Sequence, residues 1–204
     1  MTYEYILAGL PELKAGADAP ISLEKLEEFL DEQLSESDKK LLDLLRVPID
    51  AETLEQGLTA KSRFVREWFG FNRDMNNILV AQICRKHGFD PKTQIIGEDV
   101  IAEQLRTHLS QKDFGLNEVM DDATELLALA QIDDLMAREK AMDAIRFEWL
   151  QSRTEFDFFS AEMVFAYYLE AVMLHRWSLL TIEEGQRVFR QIVADLKKGV
   201  NIDA

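Results

Sequence analysis

The sequence predicts an all-α fold, a multi-helix bundle with long central helices. Three observations predict it. Helix breakers are scarce: nine Gly and four Pro in 204 residues, three of the prolines ahead of residue 50, which leaves long uninterrupted segments. Apolar residues recur every three or four positions through most of the chain, the spacing of one helix face. Ser, Thr or Asp precedes many of these runs, where a side-chain oxygen can accept from a free backbone N–H.

Taken in order, the opening run "YEYILAGLPEL" reads as a strand or a packed N-terminal arm, and propensity does not choose between them. After the loop "KAGADAP", Ser22 is positioned to cap a helix whose face carries Leu23, Leu26, Phe29, Leu30 and Leu34. "SESD", residues 35–38, has the form of a capping box for a helix that stops before Pro48. Asp50 then caps a short turn through Leu54. Residues 61–87 read as one long helix closed by Gly88, with Phe64, Trp68, Phe71, Met75, Ile78 and Leu79 on its apolar seam. Following the loop at 89–98, Asp99 caps "VIAEQLRTHL". Two further helices are predicted over 117–131 and from 132 to about 156, the latter with Leu135, Met142, Ile145 and Trp149 on a seam. Ser160 caps "AEMVFAYYLEAVMLHRWSLL", and Thr181 to Glu184 form a second capping box for a last helix closed by Gly199. The junction near Leu180 reads as a break or a kink.

With 204 residues and no low-complexity linker, the chain reads as a single all-α unit over 1–204. The loop at 89–98 is the natural place to divide it into 1–90 and 91–204. The formal net charge is −15, a field that repels phosphate backbones and anionic lipid and disfavours nucleic-acid or membrane-surface binding. A single cysteine, Cys84, allows no intramolecular disulfide, and the first residues lack the basic and apolar regions of a signal peptide. A cytoplasmic location is the expectation. The most apolar helix is no membrane span either: its longest run without charge is the seven residues "MVFAYYL", and Glu170 falls near its middle.

The chemistry-bearing residues point away from catalysis. The Glu-x-x-His pairs of di-iron bundles are absent, because Cys84, Leu105 and Val172 stand three residues before His87, His108 and His175. No Gly-rich phosphate loop, nucleophile elbow or zinc spacing is present, so neither metal nor cofactor is expected. Two alternatives stay open. Asp121, Asp122 and Glu125 in "DDATE" resemble the aspartate-rich Mg²⁺ motif of all-α prenyl-transferring enzymes, or they are acids gathered at a helix start by its dipole. The stretch from Lys61 to Lys86 holds six basic and two acidic residues. Its Arg66 and Arg73, seven apart and on one face, either dock an acidic partner or neutralise acids within the fold. Cys84 reads as a buried structural thiol.

On a helical wheel with Glu162 at 0°, Glu170 falls at about 80°, His175 at about 220° and Arg176 at about 320°. No single wet stripe results, so this helix is expected to be surrounded by others. Its charges are then paired internally or lie where it emerges.

The residues Phe159, Glu162, Val164, Phe165, Ala166, Tyr167, Leu169 and Ala171 resemble the late helices of the C subunit of V/A-type ATPases, the eukaryotic d subunit. Asp74 and Asn77 in "FNRDMNNILVAQICRKHGF" are similar to that family's earlier D-x-x-N helices. "YEYILAGLPEL" instead resembles the start of a shorter, uncharacterised bacterial family associated with V/A-type ATPase gene clusters. In the register set by Tyr168 and Leu169, the Glu, Asn and Arg of the C subunit would fall at His175, Ser178 and Leu180, so those contacts are not carried over. The resemblance implies a non-catalytic coupling part, a helical socket between the membrane rotor ring and the central stalk. It would be held at the inner membrane through that complex, with two helical sectors where the C subunit has three.

Overall fold

Backbone N–H groups left free at each helix start find the side chains that the sequence offers them. Ser22, Ser35, Asp50, Ser62 and Asp99 all sit at N-caps and accept from the first turn. The computed structural model describes residues 3–155 and 159–179, and among these the regular structure is helical, with no strand. The elements are α1 (Tyr3–Ala8), α2 (Leu23–Gln33), α3 (Glu36–Arg46), α4 (Ala51–Leu58), α5 (Arg63–His87), α6 (Val100–Thr107), a 3₁₀ turn (Leu116–Glu118), α7 (Ala123–Leu129), α8 (Leu135–Thr154) and α9 (Ala161–Leu179). The fold is all-α, as the sequence predicts. The last helix expected, over 181–199, lies outside the described residues. No helix among those described is long and apolar enough to cross a membrane.

Several boundaries differ from expectation for local reasons. Of a strand or a packed N-terminal arm, the opening run is not the strand: it forms the short helix α1, whose Ile6 is buried and which packs on α9. α4 runs on to Leu58 because Asp50 and Thr53 form a reciprocal capping box. The helix expected over 117–131 is broken into the 3₁₀ turn and α7. Ahead of the break the backbone is left-handed at both Phe114 (φ 55°) and Gly115 (φ 70°). That conformation costs a non-glycine residue about 1–2 kcal/mol. It is offset by full burial of the Phe114 ring, over which Arg85 lays its guanidinium 3.6 Å from the centroid. α8 starts later than expected, at Leu135, where Asp134 accepts from the Ala137 N–H at 2.7 Å. Leu135 is exposed, while Met142 and Trp149 are buried.

The chain forms two compact units. A terminal unit contains the described residues up to Leu34 and from Leu150 on, and a middle unit contains Ser35–Trp149, so the boundary falls within α8. The loop near residue 90, expected as the dividing point, lies inside the middle unit.

In the middle unit α4, α6 and α7 all pack on α5. Phe64, Trp68 and Phe71 of α5 gather round Trp149 with ring centroids 5.9, 5.6 and 5.2 Å away, separations at which aromatic pairs add to simple burial. Arg146 donates to Asn72 at 2.8 Å and to Asp143 at 2.9 Å, so the buried polar groups of α5 and α8 satisfy one another. In the terminal unit α9 is the long element, and α1 and α2 pack on it. Val164, Phe165, Tyr168 and Leu169 are buried, and the Tyr168 hydroxyl donates to Glu27 at 2.8 Å.

α4 and α5 approach closely at one glycine. A Cβ added at Gly57 would fall inside the Phe69 ring, and that ring is buried with nowhere to move. Gly57→Ala is expected to cost about 1–3 kcal/mol and to lower the thermal midpoint. Gly70→Ala should do the reverse. The nearest atom to its new Cβ is Leu58 Cδ2 at 3.9 Å, ordinary contact, and helix propensity gains about 0.5–1 kcal/mol. Thermal unfolding of the two variants beside the parent checks the opposite signs.

Candidate docking site

Arg66 and Arg73, read either as docking an acidic partner or as neutralising acids within the fold, both make contacts within it. Arg66 is exposed, yet its Nη1 donates to the carbonyls of Ala60 and Lys61 at 2.6 and 2.8 Å, closing the turn that leads into α5. Arg73 is drawn inward, its side chain 13% exposed. It pairs with Asp74 at 2.8 Å and with Asp99 at 2.9 Å. Asn77 is buried and acts as a backbone mimic: its Nδ2 donates to the Ile96 carbonyl at 2.7 Å and its Oδ1 accepts from the Ile96 N–H at 2.9 Å. Arg106 adds donors to the carbonyls of Ile95 and Gly97 at 2.7 and 2.8 Å. Together these groups tie the loop at 95–99 onto α5 and α6, which is why no division falls there. Burial pushes the Asp74 carboxyl up to about 6, with Arg73 pulling the other way.

Three more basic residues of the stretch are likewise engaged. Arg63 pairs with Glu67 at 2.7 Å and Lys86 with Asp133 at 2.6 Å. Arg85 donates to the carbonyls of Gln111 and Lys112 at 2.6 and 3.0 Å. Of the two readings of this helix, its contacts match neutralisation within the fold. Cys84 is free and half-buried, less enclosed than expected. Asp121, Asp122 and Glu125 are exposed in and just before α7. No group of three or more His, Cys, Asp or Glu among the described residues is placed to hold a metal ion.

α9 tells a different story. Met163, Ala166, Tyr167 and Glu170 follow one another at i, i+3, i+4 and i+7, one face of the helix. That face forms one wall of a groove of about 640 Å³ in the terminal unit, with Leu7, Leu10 and Leu13 at and beyond α1 opposite and Thr154, Glu155 and Phe159 at one end. Phe159 stands 61% exposed on the rim. The Tyr167 hydroxyl donates to the Pro11 carbonyl at 2.8 Å and so fixes the segment after α1 against α9. Glu170, expected to be paired internally, makes no hydrogen bond or ion pair among the described residues. Burial beside apolar side chains raises its carboxyl to about 7. The Tyr167 hydroxyl is pushed up to about 12, first by burial and then by the neighbouring Glu170 charge. Glu162 and His175 are half-buried, and Arg176 is exposed with its guanidinium 5.3 Å from the Trp177 ring centroid. Of the charged residues predicted on this helix, only Glu170 lines the groove.

A family described as proteins of unknown function, DUF2764, matches residues 52–200. The chain belongs to DUF2764. The match takes in the loop-binding residues of α5 and the whole α9 wall of the groove, while the Leu7–Leu13 wall lies before it. No curated protein and no solved structure matches the chain.

The groove went unseen in the sequence because it needs α1 as a helix and the chain after it as a wall. The signal that was present is the i, i+3, i+4, i+7 set ending on a carboxylate.

Two outcomes are expected. Asn77→Ala orphans both backbone groups of Ile96 and should cost about 1–3 kcal/mol, read by urea unfolding, with proteolysis at the loop 95–99 as a local check. For Glu170, the folded chain keeps its proton up to about pH 7, whereas the unfolded chain releases it near the ordinary 4.5. Stability from this group is therefore highest below about pH 4.5 and is lost as pH rises towards 7. Glu170→Gln removes that loss. Its stability relative to the parent should grow between about pH 5 and about pH 8 by on the order of 1–2 kcal/mol, allowing for partial solvent contact. An unchanged difference across that range would show that the carboxylate ionises freely.

Proposed function

We propose that this DUF2764 chain is a non-catalytic coupling and assembly subunit of a V/A-type ATPase, a helical socket between the membrane rotor ring and the central stalk. It acts in the cytoplasm and is held peripherally at the inner membrane through its partners. The observation that carries the reading lies on α9. The stretch that resembles the C subunit, Phe159 to Ala171, supplies both the buried spine of the terminal unit and one wall of an apolar groove with an exposed aromatic rim. A surface of that kind suits a protein partner. The polar contacts of the C subunit are not part of this proposal, because His175, Ser178 and Leu180 replace its Glu, Asn and Arg.

The test is co-purification. Tagged chain expressed at native level, extracted with its own membranes under conditions that keep the rotary complex intact, is expected to bring down rotor-ring and central-stalk subunits in comparable amounts by mass spectrometry. Recovery of the chain without any of them rejects the proposal.

A further inference from the structure

The groove of the terminal unit has a chemistry that selects its occupant. Its walls are mostly aliphatic, from Leu7, Leu10, Leu13 and Met163, with Phe159 on the rim. Its charged lining is of one sign: Glu12, Glu155 and Glu170, with no Lys, Arg or His among the lining residues. Glu12 has an exposed partner in Lys14 at 3.5 Å. Glu170 sits deeper and has none among the described residues, although a carboxylate half-removed from water is costly unless paired. Two helices and a helix end frame the cleft, the setting in which proteins receive an amphipathic helix through i, i+3, i+4 anchors.

We propose that this groove receives an amphipathic helix of a partner protein, whose apolar face carries one lysine or arginine that pairs with Glu170. The proposal rests on the docking reading above and names the partner's chemistry. Charge complementarity decides the occupant. An apolar helix without a cation would bury Glu170 further and leave it unpaired, which destabilises the complex. A second copy of this chain brings a net charge of −15 against an acidic lining, so like charges oppose self-association. A basic residue instead lets Glu170 ionise, and a charge-assisted hydrogen bond forms where water is largely excluded. Binding is then coupled to loss of the Glu170 proton. The other titratable groups facing the site are Glu12, Glu155 and Tyr167.

The experiment uses the full-length chain and three synthetic amphipathic peptides of about four helical turns. Each has a leucine face, with an arginine, a glutamine or a glutamate at its centre. Fluorescence anisotropy is expected to rank arginine over glutamine over glutamate. Glu170→Gln should weaken the arginine peptide about tenfold without weakening the glutamine peptide. Phe159→Ala, at an exposed rim position, should weaken arginine and glutamine peptides alike. Circular dichroism confirms that both variants stay folded. Equal binding of all three peptides, or an arginine preference that survives Glu170→Gln, overturns the proposal.

A photo-crosslinking phenylalanine analogue at position 159 reports the occupant directly. Crosslinks to the arginine peptide support the assignment. Crosslinks that the peptide does not displace, to residues 180–204 of the same chain or to a second copy, overturn it. The two readings also separate. Peptide binding that depends on Glu170, without co-purifying ATPase subunits, keeps the groove and rejects the rotary complex. Undiminished co-purification by a folded Phe159→Ala/Glu170→Gln variant rejects the groove and keeps the complex.

Discussion

The middle unit depends on α5 staying one unbroken helix of 25 residues. Ser62 opens it and Gly88, at φ 73°, closes it, and no proline or cap lies between. Over that length one face carries the aromatic seam that meets Trp149, and α4, α6 and α7 pack along the helix. The polar residues inside it are not exceptions to this role. Arg73 and Asn77 reach from the helix to a loop whose backbone would otherwise have buried groups without partners. Asn72 meets Arg146 in the same way. A break in α5 would displace a seam, a loop clamp and three helix contacts together.

This explains why the basic character of α5 is a poor guide to its surface. A cation is easily counted in a sequence, but its use depends on what folds against it. Arg73 and Arg66 share a face by spacing, yet one is enclosed between two carboxylates and the other closes a turn in the open. Enclosed ion pairs of this kind hold geometry more than they add net stability, because desolvation opposes their attraction. Their use here is to fix where the loop 95–99 lies.

What the sequence made legible was local. Caps at Ser22, Ser35, Asp50, Asp99 and Ser160 were each readable because capping is settled within four residues. The apolar spacing of α2 and α5 was readable because burial repeats with the helix turn. In place of the helix expected over 117–131 stand a 3₁₀ turn and α7, preceded by a left-handed Phe114 whose buried ring is a tertiary gain no local propensity records. The structure divides elsewhere than near residue 90 for the same kind of reason: Asn77 and Ile96 are nineteen positions apart and pair through the fold. The groove needed α1, and "YEYILAGLPEL" carries too few turns to declare itself a helix.

Glu170 separates structural need from retained chemistry. Two enclosed acids in the middle unit have a cation in reach: Asp74 of α5 has Arg73, and Asp143 of α8 has Arg146. Glu170 on α9 has none among the described residues, and burial raises its carboxyl to about 7. An aliphatic residue there would bury as well and avoid that cost. Glu170 also closes the i, i+3, i+4, i+7 face that forms the groove wall, where a partner's side chain can reach it. On the docking proposal, a cation in the groove favours the ionised form of this carboxyl, so the groove would discriminate by charge as well as by shape. That is a property of recognition, and the packing of α9 does not require it.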